Sequence, residues 1–195
     1  MNMRVPSRIV VLTLLLIAAL MAVSIVTAQD DEVIVSAGDE VLLGFAAGLS
    51  GEGIAPLGID IQRGVELAMA DRPAVIIDGA EFPVMLDIQD SLCNAEGGQT
   101  VANRFVSNPN IVAVIGDMCS SSCFAGAPIY DSAGYSMVSA SCTNPSLTLR
   151  GFTSFNRTVA SDGFQGAVAA EFIFNELGFT RVATIHDGSP YGEGL

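Results

Sequence analysis

The stretch IVAVIGDMCSSSCFAG, residues 111–126, joins a purely apolar run to a loop that packs two cysteines and three serines into five positions. An uninterrupted apolar run such as IVAVI (111–115) is typical of a strand that is buried on both faces. The residues after it predict a helix over 121–133, so the loop lies where a strand ends and a helix begins. Such a loop suits a nucleophile on a turn, a metal or redox site, or a cradle for a small anion.

The same alternation of apolar run, polar loop and amphipathic stretch repeats along the chain. It predicts strands over 41–46, 82–88, 111–115, 135–140, 155–159 and 181–186, and helices over 59–70, 95–106, 121–133 and 163–177. The last helix is expected to turn Val168, Phe172 and Leu177 inward. Strands and helices in this rhythm predict an α/β fold, a doubly wound parallel sheet with helices on both faces.

The first 28 residues have the pattern of an export signal rather than of a folded element. Arg4 and Arg8 precede an apolar run over 9–26, and small residues end at Ala28, directly before the acidic segment QDDE. We expect cleavage near Ala28 and an exported protein, periplasmic or otherwise extracytoplasmic. Because the apolar run is close to the length that spans a bilayer, an uncleaved membrane anchor is the alternative.

The charge of the remaining residues restricts the possible partners. Past residue 28 the chain has six arginines, no lysine and all 21 acidic residues, which is a formal net charge of −15. Such a surface repels nucleic acid and anionic membranes, so neither is an expected partner. It does not repel a zwitterion without net charge.

Four cysteines, Cys93, Cys119, Cys123 and Cys142, follow the export signal. An even number of cysteines in an exported chain favours disulfides. Three pairings are possible, and the spacing alone does not choose among them. Zinc is the alternative, but the sequence lacks the paired C-x-x-C spacing of many zinc sites, and no metal is expected.

Three loops are predicted at the carboxyl edge of the sheet, where folds of this kind bind ligands. They are LSG (49–51), MCSSSC (118–123) and SCTNP (141–145), and none contains a lysine, arginine or histidine. Ser120 lies at a predicted helix N-terminus, whose free N–H groups and dipole attract a carboxylate. Thr143 offers a second hydroxyl from the next loop. Helix capping by these hydroxyls is the structural alternative.

An exported serine hydrolase is the competing class of protein. It would use Ser120 as nucleophile and the single histidine, His186, as base, but the residues around Ser120 do not form the G-x-S-x-G elbow. A phosphate loop is also disfavoured, because GLSGEG (48–53) has neither the lysine of a P-loop nor the glycine spacing of a dinucleotide turn. We therefore expect no catalytic residue and no cofactor.

Five segments, in order, resemble one known family. They are FAAGLSGEG (45–53), IGDMCSSS (115–122), SCTNPSLTLRGF (141–152), NRTVASDGFQG (156–166) and IHDGSPYGEGL (185–195). Together they are similar to the periplasmic leucine/isoleucine/valine-binding proteins of branched-chain amino acid ABC transporters, which are type I periplasmic binding proteins. The resemblance implies a two-lobed protein that captures an amino acid between its lobes and delivers it to a membrane permease.

The resemblance also implies roles for individual residues. Ser120 would bind the α-carboxylate of the ligand through its hydroxyl and N–H, and Thr143 would bind the same amino acid through hydroxyl and backbone. The carbonyl of Ser141 would accept from the α-ammonium group. The residues implied to line or close the pocket are Met118, Cys119, Tyr191 of the second lobe, and Leu57, which stands where the best-known members have an aromatic residue.

Disulfides and lobes follow from the same resemblance. Cys93 and Cys119 match the disulfide of the family, while Cys123 and Cys142 are additional and lie on neighbouring loops, where a second bridge can form. The expected division is a signal peptide over 1–28, an incomplete first lobe over 29–160, and the crossing to a second lobe over 161–195. The chain is expected to be an N-terminal fragment, with the acidic partner of the ammonium group beyond Leu195. An amide or urea-like ligand and a receptor sensor domain are the remaining alternatives.

Overall fold

A six-stranded sheet forms the centre of the computed structural model, which describes residues 35–36 and 38–195. The predicted signal peptide and its cleavage site lie outside the described residues. In chain order the strands are β1 (Val41–Ala47), β2 (Ala74–Ile77), β3 (Ala80–Asp90), β4 (Ile111–Ile115), β5 (Met137–Ser139) and β6 (Phe155–Arg157). The helices are α1 (Ala55–Asp71), α2 (Ala95–Val106), α3 (Ser120–Ser132), α4 (Ser146–Leu149), α5 (Asp162–Asn175) and α6 (Pro190–Gly194).

The strands are ordered β2–β3–β1–β4–β5–β6, and every neighbouring pair except β2–β3 is parallel. The parallel strands therefore end at one common edge of the sheet. Strand β1 has β3 on one side and β4 on the other, so the chain crosses to opposite sides of β1. In doubly wound sheets the ligand crevice lies at such a switch point, outside the carboxyl ends of the strands. The predicted fold class is confirmed.

Helices cover both faces of the sheet. Successive residues of β1 point to opposite sides, so the contacts of neighbouring residues show what covers each face. Phe45 belongs to an apolar cluster that includes Ile61 of α1. The next residue, Ala46, belongs to a second cluster that includes Phe105 of α2. Within the described ranges, no helix combines the length and the apolar character needed to cross a membrane.

Strand β2 is not predicted by the hydrophobic pattern. It pairs antiparallel with β3 at the edge of the sheet, with Ile77 opposite Ala80. Asp78 and Gly79 connect the two strands with φ values of 51° and 83°. A two-residue hairpin turn of this kind needs positive φ at both positions, which Asp-Gly tolerates well. That dipeptide is the sequence signal for the hairpin.

The C-terminal part differs from the prediction, whereas α2 and β4 have the predicted bounds. No strand forms over 181–186, because no other described strand lies beside this segment to share backbone hydrogen bonds. Val168, Phe172 and Leu177, predicted to face inward, are 49%, 54% and 51% exposed. Periodicity shows which residues share a helix face, but it does not show whether another element covers that face.

Candidate functional site

The candidate site lies where β4 and β5 end and the segments MCSSSC (118–123) and SCTNP (141–145) leave the sheet. Ser120 opens α3, and its side chain is buried. The backbone N–H of Asn144 donates to Ser120 Oγ at 3.3 Å. One hydrogen bond therefore joins the two loops that were predicted to meet at this edge.

The first turn of α3 presents backbone N–H groups that no side chain caps. The N-cap residue, Cys119, has an extended backbone and makes no side-chain cap bond. The hydroxyls of Ser121 and Ser122 donate instead to the carbonyls of Cys93 and Cys119, at 2.8 and 2.9 Å. The capping alternative is therefore wrong for α3, and the N–H groups of its first turn remain available to an anion.

Ser139, the last residue of β5, holds the start of the ligand loop, a name we use for residues 141–144. Its Oγ accepts from the N–H groups of Ser141 and Cys142, at 3.2 and 2.8 Å. The same hydroxyl donates to the carbonyl of Asp117. Because Ser139 is fully buried, water does not compete for these bonds.

Residues of β6 and α5 hold the carbonyl groups of the ligand loop. Arg157 Nη1 donates to the carbonyls of Cys142 and Asn144, at 3.1 and 2.9 Å. The N–H of Asp162 donates to the carbonyl of Thr143 at 2.9 Å. Three successive carbonyls of the loop are thus paired with neighbouring elements.

Three polar groups of the ligand loop have no partner among the hydrogen bonds of the described residues. They are the carbonyl of Ser141, the N–H of Thr143 and the hydroxyl of Thr143, whose oxygen is buried. A buried polar group without a partner costs about 1–3 kcal/mol. Since the rest of the loop backbone is paired, these groups mark the part of the loop that is suited to a ligand.

Two buried carboxyl groups lie next to the ligand loop. Burial raises the pKa of Asp117, although its hydrogen bond from the N–H of Met118, at 2.6 Å, opposes that rise. Asp162 is fully buried, and neither of its carboxylate oxygens has a hydrogen-bond partner among the described residues. Burial lowers the pKa of Arg157 and the charge of Asp162 opposes that fall, so this carboxylate already acts on a cation of the protein. The N-terminus of α3 favours an anion.

Two disulfides tie the segments of the site together. Cys93–Cys119 joins the segment before α2 to the N-cap of α3, and Cys123–Cys142 joins α3 to the ligand loop. The structure thus contains the pair implied by the resemblance and also the additional bridge. No free cysteine remains in the described part of the chain. The zinc alternative is therefore wrong, because a disulfide sulfur is not a thiolate ligand.

The other predicted pocket residues lie at different depths. Met118 is buried in the apolar cluster on the α1 side of the sheet, and Cys119 packs against the same cluster. Leu57 on α1 and Tyr191 on α6 are exposed over 58% and 46% of their surface. The structure thus brings Met118, Cys119 and the two loops together, while Leu57 and Tyr191 lie on surfaces open to solvent.

Four residues that shape the site were not predicted as site residues: Ser139, Asn144, Arg157 and Asp162. Each acts through a hydrogen bond to a residue outside its own element, which residue spacing does not reveal. The side chain of Asn144 also donates to the carbonyl of Pro190, which lies at the start of α6. For Asn144, Arg157 and Asp162 the available signal was their position within SCTNPSLTLRGF and NRTVASDGFQG, two of the segments that carry the resemblance, whereas Ser139 lies outside all five segments.

Ser120 and His186 do not form a catalytic pair. The Oγ of Ser120 is hydrogen-bonded to the N–H of Asn144, as described above. The exposed His186 accepts through Nδ1 from the N–H of Gly188, at 3.2 Å, within its own turn. No hydrogen bond joins the serine and the histidine in the described structure, so the geometry does not favour the hydrolase alternative.

The fold defines a class of protein, namely α/β domains with a mostly parallel sheet, whose ligand crevices lie outside the carboxyl ends of the strands. The family model of the receptor family ligand binding region matches residues 77–195. The chain belongs to this family.

Three proteins similar to this chain are named as binding proteins for amino acids. An amino acid binding protein of Pseudomonas aeruginosa is 36% identical over 157 residues, which is 80% of this chain and 41% of that protein. A Leu/Ile/Val-binding protein of Escherichia coli is 34% identical over 158 residues, 80% of this chain and 42% of that protein. The solved structure of LivK, a leucine-binding protein of Thermotoga maritima, has a TM-score of 0.73 at 28% identity, covering 80% of this chain and 43% of that one.

The predicted resemblance to the leucine/isoleucine/valine-binding proteins is thus confirmed. The chain spans about two fifths of the length of the relatives it matches.

Proposed function

We propose that the full-length protein binds an aliphatic α-amino acid of the leucine, isoleucine or valine type. The observation that carries this proposal is the set of unpaired groups: the N–H groups that open α3, the N–H and hydroxyl of Thr143, and the carbonyl of Ser141. Donors at a helix N-terminus suit a carboxylate. A carbonyl oxygen only accepts, so it suits an ammonium group. An α-amino acid carries both groups on one carbon atom.

In this proposal Ser120 binds the α-carboxylate through its N–H and its hydroxyl. Its Oγ already accepts from the N–H of Asn144, so its hydroxyl hydrogen is available to donate to the ligand. The ammonium group donates to the carbonyl of Ser141 and the hydroxyl of Thr143. The helix dipole, rather than a lysine or arginine of these loops, stabilises the carboxylate.

The ligand side chain lies against Met118, Cys119 and Leu57 in this arrangement. None of the three carries a charge, and Met118 belongs to an apolar cluster. An aliphatic side chain buried there is stabilised by roughly 25 cal/mol for each Å² of apolar surface removed from water. The pocket composition therefore favours a branched aliphatic ligand over a charged one.

We further propose that residues 29–160 belong to a first lobe, that 161–195 cross into a second, and that Tyr191 closes over the ligand. A ligand that contacts both lobes favours the closed state by its additional contacts there. The closed protein then delivers the amino acid to an ABC permease, after export directed by residues 1–28. No bond is made or broken, so no catalytic residue or cofactor is needed. The names of the relatives, an amino acid binding protein and a Leu/Ile/Val-binding protein, support this role.

Calorimetric titration of the full-length mature protein with leucine, isoleucine, valine and acetamide tests the proposal. We expect one-to-one binding of at least one of the three amino acids. Ser120→Ala and Thr143→Ala each remove a hydroxyl that binds a charged group, so each should weaken binding by about 1.5–3 kcal/mol, roughly 10- to 150-fold. Ser132→Ala is the matched control, because that hydroxyl bonds to Pro128 at the far end of α3.

The outcomes separate the alternatives. Heat with acetamide but not with the amino acids would keep the class of binding protein and change the ligand. No heat of binding with any of the four compounds would contradict the proposal. Ester hydrolysis that is lost in Ser120→Ala would favour the hydrolase instead.

A further inference from the structure

We propose that Arg157 is the positioning residue of the ligand loop, which holds Thr143 in the orientation that receives the amino acid. This inference rests on the proposed function and extends it to a residue outside the pocket. Arg157 ends β6, and its guanidinium reaches three groups: the carbonyl of Cys142 at 3.1 Å, the carbonyl of Asn144 at 2.9 Å and Thr148 Oγ1 at 2.8 Å. The two carbonyls flank Thr143.

Because the peptide unit is planar, a contact to its carbonyl also fixes the direction of its N–H group. The carbonyl of Cys142 and the N–H of Thr143 belong to one trans peptide unit, so they point in opposite directions. Because Arg157 binds the carbonyl, it directs the N–H of Thr143 away from β6. The N–H of Thr143 is one of the unpaired groups assigned to the ligand.

The neighbouring peptide unit is held in the same way by another residue. The N–H of Cys142 donates to Ser139 Oγ at 2.8 Å, and it shares a peptide unit with the carbonyl of Ser141. That carbonyl therefore points away from Ser139. Ser139 and Arg157 thus fix two successive peptide units, and each fixes one group that is left for the ligand.

An arginine is required for this role because several acceptors must be bound at once. A guanidinium donates in several fixed directions within one plane, whereas a lysine ammonium is a point charge on a flexible stem. Arg157→Lys can keep the charge and one carbonyl contact, but it does not reproduce the contacts to the two carbonyls and to Thr148. We therefore expect a partial effect from lysine and a larger one from methionine.

The test measures two properties of each variant in the full-length protein. The first is the pair of dissociation constants for L-leucine and D-leucine, and the second is the free energy of unfolding without ligand. The variants are Arg157→Met, Arg157→Lys and Thr148→Val. The last removes the outer partner of the guanidinium together with the hydrogen bond that Thr148 Oγ1 donates to the carbonyl of Pro145. Arg104→Met is the matched control, since Arg104 is exposed on α2 and its one ion pair among the described residues is with Asp87, at 3.6 Å. The enantiomer ratio is informative because discrimination requires the carboxylate and ammonium sites to be fixed relative to each other.

We expect Arg157→Met to bind L-leucine about tenfold or more weakly, as for the loss of a charged hydrogen bond, with a lower ratio of L to D affinity. Arg157→Lys should lie between that variant and the wild type, and Thr148→Val should show a smaller loss in the same direction. Arg104→Met should bind as the wild type does.

An Arg157→Met variant that loses stability yet keeps both the L-leucine affinity and the enantiomer ratio would overturn the inference, because the role would then be structural only. If that variant does not fold, wild-type affinity and ratio in Arg157→Lys and Thr148→Val would overturn it equally. A wild-type protein that does not bind leucine would instead contradict the proposed function, and the inference with it.

Discussion

Gly98 shows how a single residue sets the position of the first turn of α3. A Cβ at this place in α2 would lie 2.5 Å from the carbonyl oxygen of Ser122 and 2.6 Å from its Cα. Both atoms belong to the backbone, which does not move aside as a flexible side chain does. The absence of a side chain at Gly98 therefore lets α2 and α3 approach closely enough to place Ser120 next to the ligand loop.

We predict that Gly98→Ala destabilises the protein by about 1–3 kcal/mol, the usual cost of overpacking, and weakens amino acid binding. The added methyl group must push the first turn of α3 away from α2, and Ser120 moves with that turn. Gly64→Ala is the control, because nothing lies within 4 Å of a Cβ there and alanine favours the helix α1 by roughly 0.5–1 kcal/mol. Urea unfolding and calorimetry measure both effects, and a Gly98→Ala protein as stable as wild type would contradict the prediction.

The sequence predicts the position of some residues of the site but not of others. Ser120 and Thr143 lie a few residues after the ends of neighbouring strands, and the ends of parallel strands meet at one edge, so the proximity of their two loops was predictable. Arg157 was not, because its contacts to Cys142 and Asn144 depend on the pairing of β6 with β5. The pattern of apolar residues indicates where buried strands lie, but it does not determine the order of strands at the edge of a sheet.

At the scale of elements, the bridge Cys123–Cys142 joins the two parts of the site that the proposed ligand would also connect. One cysteine lies in α3, whose first N–H groups are proposed to bind the carboxylate, and the other lies in the ligand loop. Both side chains are fully buried. The bridge therefore limits the relative movement of the helix and the loop before any ligand is bound, which lowers the ordering cost of binding.

Replacing both cysteines by alanine tests this role. The bridge closes a segment of 19 residues, and the chain-entropy relation assigns about 3 kcal/mol to a loop of that size. We expect the double variant to lose about that much unfolding free energy and to bind the amino acid more weakly, because α3 and the ligand loop are no longer covalently joined. Cys93–Cys119 stays intact as an internal reference, checked by thiol titration. Unchanged affinity would show that hydrogen bonds alone hold the loop.

Helices and strands were predicted best where the local sequence pattern agrees with the contacts that the element makes in the fold. The helix α2 has the predicted bounds, with Asn94 as N-cap accepting from Gly97. The apolar run of β4 also has its predicted bounds, with Ile111 and Val114 buried and Val112 48% exposed. Strand β2 was missed because its residues are mostly exposed and do not alternate. The segment over 181–186 reads as a strand, but a strand also needs a neighbour, and the described structure provides none.

At the scale of the whole molecule, the part of the chain that the structure describes exposes apolar residues on and around α5. Phe164, Phe172 and Phe174 of this helix are 65%, 54% and 62% exposed, and Ile185 in the following segment is 96% exposed. Contiguous apolar patches of more than a few hundred Å² are rare on soluble monomers. The chain spans about two fifths of the length of its relatives. We therefore expect this surface to be covered in the full-length protein.

Residues 29–195 produced alone should bind the dye ANS strongly and melt over a broad temperature range, because the exposed phenylalanines attract the dye and α5 buries little apolar surface. The full-length mature protein should bind little dye and melt cooperatively. A matched variant of the short chain, Phe172→Gln with Phe174→Gln, should reduce the dye fluorescence if α5 is the binding surface. A sharp, cooperative melt of residues 29–195 without dye binding would mean that α5 needs no covering element, and that this part of the protein is stable by itself.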